Sequence, residues 1–68
     1  MRYLNEDDFL LENPFFVVRG RIVEPIILIF DDSIKEMTRK LVAKISGKCT
    51  KNQWQNLVFE ITGSKLVP

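Results

Sequence analysis

The chain has no histidine and a single cysteine, Cys49, among its 68 residues. Histidine is the commonest general base and metal ligand, so its absence removes the usual acid–base and metal-centre chemistries. A lone cysteine without a histidine forms neither an internal disulfide, nor an ordinary zinc site, nor a Cys–His nucleophile pair. We therefore expect no metal, no cofactor and no enzymatic activity, and we interpret Cys49 as a small apolar packing residue.

Glycine is scarce and long apolar runs are missing. The three glycines stand far apart, so the chain has no glycine-rich loop of the kind that cradles phosphates. The longest apolar run, Ile26–Phe30, is too short to span a bilayer. The first residues show no basic segment followed by an apolar one, so we expect no signal peptide. These features, with the single cysteine, predict a cytoplasmic protein without a membrane segment.

The composition nevertheless supports a folded core. Hydrophobic residues make up 46% of the chain, which is enough for a single small domain over residues 1–68. Helical and strand signals occupy different parts of the sequence, so the predicted fold class is α+β.

The second half of the chain predicts a two-helix hairpin, over about residues 34–46 and 51–62. Ser33 and Glu36 have the spacing of a capping box, and Gly47 supplies a left-handed residue at which the first helix can end. Thr50 and Gln53 repeat the capping box, and Gly63 ends the second helix. Each helix has an apolar stripe at helical spacing. These stripes are Ile34, Met37, Leu41 and Ile45 in the first helix and Trp54, Leu57, Val58 and Ile61 in the second.

The first half predicts a short helical turn followed by a β-hairpin. Asn5 is placed to cap the turn, and Pro14 ends it. β-Branched and aromatic runs predict strands over about residues 15–23 and 26–30. The hairpin turn is open between Arg19-Gly20 and Glu24-Pro25, and we favour the second, with Gly20 as a bulge. The wholly apolar second strand predicts burial of both its faces.

The charges are divided between the two halves of the chain. Residues 1–32 contain seven acidic and three basic side chains, a net charge of −4, whereas residues 33–68 contain two acidic and seven basic ones, a net charge of +5. A basic helical half is typical of a protein that binds anions, although charged side chains also segregate simply to solvate a surface.

The first functional hypothesis is a small DNA-binding regulator that reads DNA with its second helix. Amide side chains pair with adenine in the major groove, and lysines contact phosphates. The residues expected to bind nucleic acid are Arg39, Lys44, Lys48, Lys51, Asn52, Gln55 and Asn56.

The order strand, helix, helix from Ile26 to Thr62, with Gly47 between the helices and Thr50 capping the second, resembles the ribbon-helix-helix repressors over about half of the chain. Those repressors read DNA with polar residues that alternate on the strand, whereas Ile26–Phe30 is wholly apolar. The resemblance therefore implies only a homodimer formed through that strand, and no base-reading residues.

The second hypothesis is a protein–protein interaction module, an adaptor or inhibitor that docks on a larger protein. On the helical wheel Phe59 lies away from the apolar stripe, among amide side chains, where an aromatic residue is typical of an interface anchor. Phe9 and Leu10, in the acidic N-terminal segment, would form a second docking strip. The competing interpretation of Phe59 is burial under the N-terminal segment or the sheet.

Overall fold

A computed structural model describes residues 2–26 and 31–68, and it confirms the α+β class, with a strand hairpin followed by helices. Residues 27–30 lie outside the described residues. The predicted strand over residues 26–30, its two buried faces and the homodimer through it therefore concern a part of the chain that the structure does not describe. Ile26, which the structure does describe, is exposed and lies outside any strand.

The N-terminal turn is the helix α1, Glu6–Glu12. The Asn5 side chain accepts a hydrogen bond from the backbone N–H of Asp8 at 3.1 Å, so Asn5 caps the helix as predicted. The helix ends at Asn13, directly before Pro14. Asn13 is buried: its side-chain amide donates to the carbonyl of Phe9 at 3.0 Å, and the hydroxyl of Thr38 donates to its Oδ1 at 2.6 Å. This pair of bonds ties α1 to the second helix of the fold.

The hairpin consists of β2, Phe16–Arg19, and β3, Ile22–Pro25, paired antiparallel. Its turn is Gly20 and Arg21, so the turn we favoured at Glu24-Pro25 is wrong. Gly20 has a φ of 61°, which a two-residue hairpin turn needs at its first central position and which glycine adopts without a steric penalty. Gly20 is therefore a turn residue rather than a bulge, and Pro25 lies at the end of the second strand.

A third strand, β4, Cys49–Thr50, extends this sheet by pairing with β3. No pattern in the sequence predicted this strand. The backbone N–H of Lys51 also donates to the carbonyl of Arg21 at 2.6 Å. The start of the last helix is thereby fixed to the hairpin turn.

The helix α2, Glu36–Ile45, begins without the predicted capping box. Its N-cap is Lys35, which makes no side-chain capping bond, because Ser33 is engaged elsewhere. Both the hydroxyl and the backbone N–H of Ser33 donate to the carboxylate of Asp31, and these bonds lower the pKa of Asp31 below its ordinary value. At the other end Ser46, not Gly47, is the left-handed C-cap, with a φ of 54°.

The helix α3, Lys51–Thr62, follows the sequence prediction closely. The Thr50 hydroxyl accepts from the backbone N–H of Gln53 at 3.2 Å, and the Gln53 side chain accepts from that of Thr50 at 3.0 Å. This is the predicted capping box. Gly63 ends the helix with a φ of 73°, also as predicted.

Replacing the cap residue should weaken the fold measurably. We expect Thr50→Ala to lower the free energy of unfolding by about 1 kcal/mol, because the backbone N–H of Gln53 loses its acceptor. Thr50→Ser keeps an oxygen at the same place and should lie within about 0.5 kcal/mol of the parent. Urea denaturation followed by far-UV circular dichroism measures both, and equal stability of the two variants would contradict the observed cap.

The two chain ends form a second sheet that the sequence analysis missed. The strand β1, Arg2–Asn5, pairs in parallel with β5, Ser64–Val67. Leu4 lies opposite Leu66, and Leu66 is only 3% exposed because it packs into the core. This pairing holds the C-terminal strand against α3.

Trp54 lies at the centre of the core and is fully buried. Its ring contacts those of Phe9 and Phe16, with centroid separations of 5.8 and 6.0 Å. Leu41 and Ile45 of the α2 stripe are buried in the same cluster. The apolar stripes of α2 and α3 therefore pack into a common core. One long face of α3 is left turned outward.

Candidate interaction surface

The outward side of α3 carries four of the residues that the sequence singled out. Asn52, Asn56 and Phe59 follow one another at spacings of four and three residues, so they lie on one face of the helix. All three are exposed, and Gln55 beside them is half-buried. We call Asn52, Gln55, Asn56, Phe59 and the neighbouring Lys65 the α3 face.

Phe59 borders a groove between α3 and β5. The groove has a volume of about 240 Å³ and is lined by Gln55, Asn56, Phe59, Lys65 and Leu66. The Phe59 side chain is 41% exposed, so it is not tucked under the N-terminal segment or the sheet, and that interpretation is wrong. The structure thus presents a large aromatic side chain to solvent beside two amides and a lysine.

A second hollow lies on the other side of Asn56. It has a volume of about 450 Å³, and Lys44, Lys48, Gln53 and Asn56 supply its polar lining. Lys44 points its Nζ at the carboxylate of Glu60, 3.8 Å away, so part of its charge is balanced. Within the described residues Lys48 makes no ion pair. Asn56 lines both this hollow and the groove beside Phe59, so the two form one continuous surface.

The other predicted DNA-binding residues line further hollows, one of which also includes Asn52 of the α3 face. Asn52 and Lys51 line a hollow of about 380 Å³ with Arg21 and Thr50, at the start of α3. Arg39 lies on α2, in a hollow of about 440 Å³ that also contains Asp31 and Asp32. The Arg39 guanidinium donates to the backbone carbonyl of Asp31. The structure therefore distributes the seven predicted residues over separate hollows, and it places Arg39 beside carboxylates that would repel a phosphate.

Lys51 is held in an ion pair that the sequence analysis missed. Its Nζ lies 3.0 Å from Oε2 of Glu6, whose side chain is only 9% exposed. The other oxygen of that carboxylate, Oε1, is buried and has no hydrogen-bond partner within the described residues. Lys51 therefore neutralises a nearly buried charge and joins the starts of α1 and α3.

This pair predicts a specific stability pattern. We expect Lys51→Met to lower the free energy of unfolding by about 1–3 kcal/mol, because it leaves the Glu6 carboxylate buried without a counter-charge. The double variant Glu6→Gln/Lys51→Met should recover a large part of that loss. As a control, Lys40→Met removes the exposed pair with Glu36 and should change stability by at most about 0.5 kcal/mol. Equal losses for Lys40→Met and Lys51→Met in urea denaturation would contradict this role for Lys51.

The acidic N-terminal segment is arranged differently from the predicted docking strip. Phe9 is 2% exposed and packs on Trp54, and Leu10 is half-buried against the core, so the structure presents neither as a surface anchor. Leu11 is instead 79% exposed. A helical stripe of Glu6, Phe9 and Asn13, all buried, was present in the sequence and could have identified the inner side of α1.

Cys49 lies partly buried at the start of β4, and burial raises the pKa of its thiol above the ordinary value. A protonated thiol is a poor nucleophile, so its environment suits a packing residue. Within residues 2–26 and 31–68 no group of three or more Cys, Asp or Glu side chains is arranged to hold a metal ion. None of the helices that the structure describes has the length and apolarity needed to cross a bilayer.

Comparison of the chain with models of known protein families, with curated proteins and with solved structures finds no match. A function for this protein must therefore be inferred from the chemistry of its described surface.

Proposed function

We propose that this protein is a non-catalytic interaction module that docks on a larger protein through the α3 face. The observation that carries the proposal is Phe59, an aromatic side chain that is 41% exposed at the edge of a groove of about 240 Å³. Interface energy is concentrated in a few aromatic anchors, and polar groups around them supply directional hydrogen bonds. Gln55 and Asn56, which line the same groove, are placed to provide such bonds.

The distribution of charge favours a protein partner over DNA. Two of the lysines predicted to contact phosphates, Lys44 and Lys51, are paired with carboxylates. Arg39 lies next to Asp31 and Asp32. Phosphate contacts supply most of the affinity for DNA, and each cation already balanced within the protein contributes less to them. The described surface is thus better suited to a mixed apolar and polar contact.

Photo-cross-linking tests the proposal directly. A benzophenone amino acid is introduced at position 59 and, as a matched control, at position 11, which carries the exposed Leu11 on α1. In an extract of the native cell we expect a discrete adduct from position 59 and none from position 11. Identical adducts from both positions, or no adduct from position 59, would remove the support for docking through the α3 face.

A DNA-binding regulator is the second candidate, and one observation favours it. Asn52 and Asn56 stand on the same face of α3 and are flanked by Lys48 on one side and by Arg21 on the other. This arrangement brings adenine-pairing amides together with cations that can contact phosphates.

Salt dependence distinguishes this candidate. If the protein binds DNA, affinity should fall by about tenfold or more between about 50 and 200 mM salt, and Lys48→Ala should reduce the salt slope by about one. Lys48 is a cleaner probe than Lys51, because Lys51→Ala would also leave the Glu6 carboxylate without its partner. Lys40→Ala serves as the control. Fluorescence anisotropy with duplex and single-stranded probes measures all three, and a lack of binding at about 50 mM salt would eliminate the candidate.

A further inference from the structure

We infer that the partner inserts into the α3–β5 groove a short segment that carries a carboxylate next to an apolar side chain. This inference rests on the proposed docking function and specifies the chemistry of the partner. The groove is lined by the exposed Phe59, by Leu66 and by Lys65, and none of its five lining residues is acidic. An apolar side chain covers Phe59, while the adjacent carboxylate reaches Lys65.

Lys65 is available for such a contact. Within the described residues no carboxylate lies within ion-pair distance of its Nζ. Lys65 lies in β5, opposite Tyr3 of β1, and Tyr3 is 65% exposed. Because Leu4 and Leu66, the next pair along, face the core, Lys65 and Tyr3 point to the opposite side of this sheet. Tyr3 therefore lies beside Lys65 on that side of the sheet.

The surroundings of the groove are also positive. Glu60 is the sole acidic residue of α3, and it is already paired with Lys44. Lys48 lines the adjacent hollow, on the far side of Asn56. An acidic segment is thus attracted to the α3 face from both sides, whereas a basic segment is repelled. Gln55 and Asn56 are placed to bond the backbone of the bound segment, since amide side chains both donate and accept.

This chain itself contains one segment of the required chemistry. The exposed part of α1 carries Asp7, Asp8 and Leu11. A second copy would place this segment in the groove through a heterologous contact, and such contacts build rings or open chains of subunits. For this reason we assign the groove to a different protein. Sedimentation equilibrium of the protein alone is accordingly part of the test.

Selection from a displayed library of random heptapeptides provides the probe. The parent protein should enrich peptides with Asp or Glu adjacent to Leu, Ile, Phe or Trp. For one enriched peptide, synthesised with a fluorophore, Lys65→Glu should weaken binding about tenfold at low salt, since it replaces an attraction by a repulsion. Lys40→Glu, an equal charge change on α2, should leave the affinity within about twofold.

The outcomes separate this inference from the docking function. Phe59→Ala could abolish binding of the selected peptides while those peptides show no preference for Asp or Glu and Lys65→Glu has no effect. That result would overturn the acidic partner and retain docking through Phe59. Retention of the peptides by a folded Phe59→Ala variant would overturn both. Failure to enrich any peptide overturns the groove as a peptide site. Concentration-dependent self-association that Leu11→Ala abolishes would assign the groove to a second copy.

Discussion

Trp54→Ala is expected to unfold the protein. Trp54 is fully buried, and its ring packs against those of Phe9 and Phe16, from α1 and from the hairpin. Replacing a buried aromatic residue by alanine removes about 3–5 kcal/mol, through lost burial and the cavity that remains. A domain of this length has a total stability of roughly 3–10 kcal/mol, so the loss is comparable to the whole.

The matched variant is Trp54→Phe. The Nε1 of Trp54 is buried and has no hydrogen-bond partner within the described residues. Replacing the indole by a phenyl ring therefore removes volume from the core but breaks no hydrogen bond. We therefore expect Trp54→Phe to stay folded with a lowered urea midpoint, and Trp54→Ala to show little structure in far-UV circular dichroism at 25 °C. A Trp54→Ala variant with the parent's midpoint would mean that Trp54 is not the centre of the core.

The sequence was most informative where structure is determined by near neighbours. The first and last residues of α3 were predictable because each end depends on residues close to it in sequence. The capping box of Thr50 and Gln53 begins the helix, and Gly63 ends it. The stripe containing Trp54 and Val58 identified its inner side for the same reason. Where two local interactions competed, the prediction failed: Asp31 engages Ser33, and that contact replaced the expected cap of α2.

The hairpin turn and the second sheet show two further limits. Glycine and proline are both common in turns, so Gly20 and Pro25 were both candidates for the hairpin turn. The structure has the turn at Gly20, whose φ is positive. The pairing of β1 with β5 joins residues about sixty positions apart, since Tyr3 lies opposite Lys65. Such a pairing depends on how the helices pack, and short strands with mixed polarity leave little local signal.

The candidate site was predictable in composition but not in electrostatics. The helical wheel placed Phe59 among amides, and the structure places it there with its ring exposed. The wheel could not show that Lys51 lies 3.0 Å from a carboxylate forty-five positions earlier in the chain. It also could not show that Lys65, which no motif marked, lines the same groove as Phe59. These contacts are the reason why we propose a protein partner rather than DNA.

Phe59→Ala should separate binding from folding. Phe59 is 41% exposed, so truncating it should lower the free energy of unfolding by only about 1 kcal/mol. If Phe59 is the anchor of the interface, the same change should weaken partner binding by about 2 kcal/mol or more, roughly thirtyfold. Ile22→Ala is the matched control, because Ile22 is also 41% exposed but lies in β3, outside the groove.

The most direct measurement is the affinity of the partner recovered by cross-linking at position 59, determined by isothermal titration calorimetry for the parent, Phe59→Ala and Ile22→Ala. Urea denaturation of the same three samples supplies their stabilities. We expect parent-like affinity for Ile22→Ala and a loss of about thirtyfold or more for Phe59→Ala while both variants remain folded. A folded Phe59→Ala protein that binds the partner as tightly as the parent would contradict docking through the α3 face.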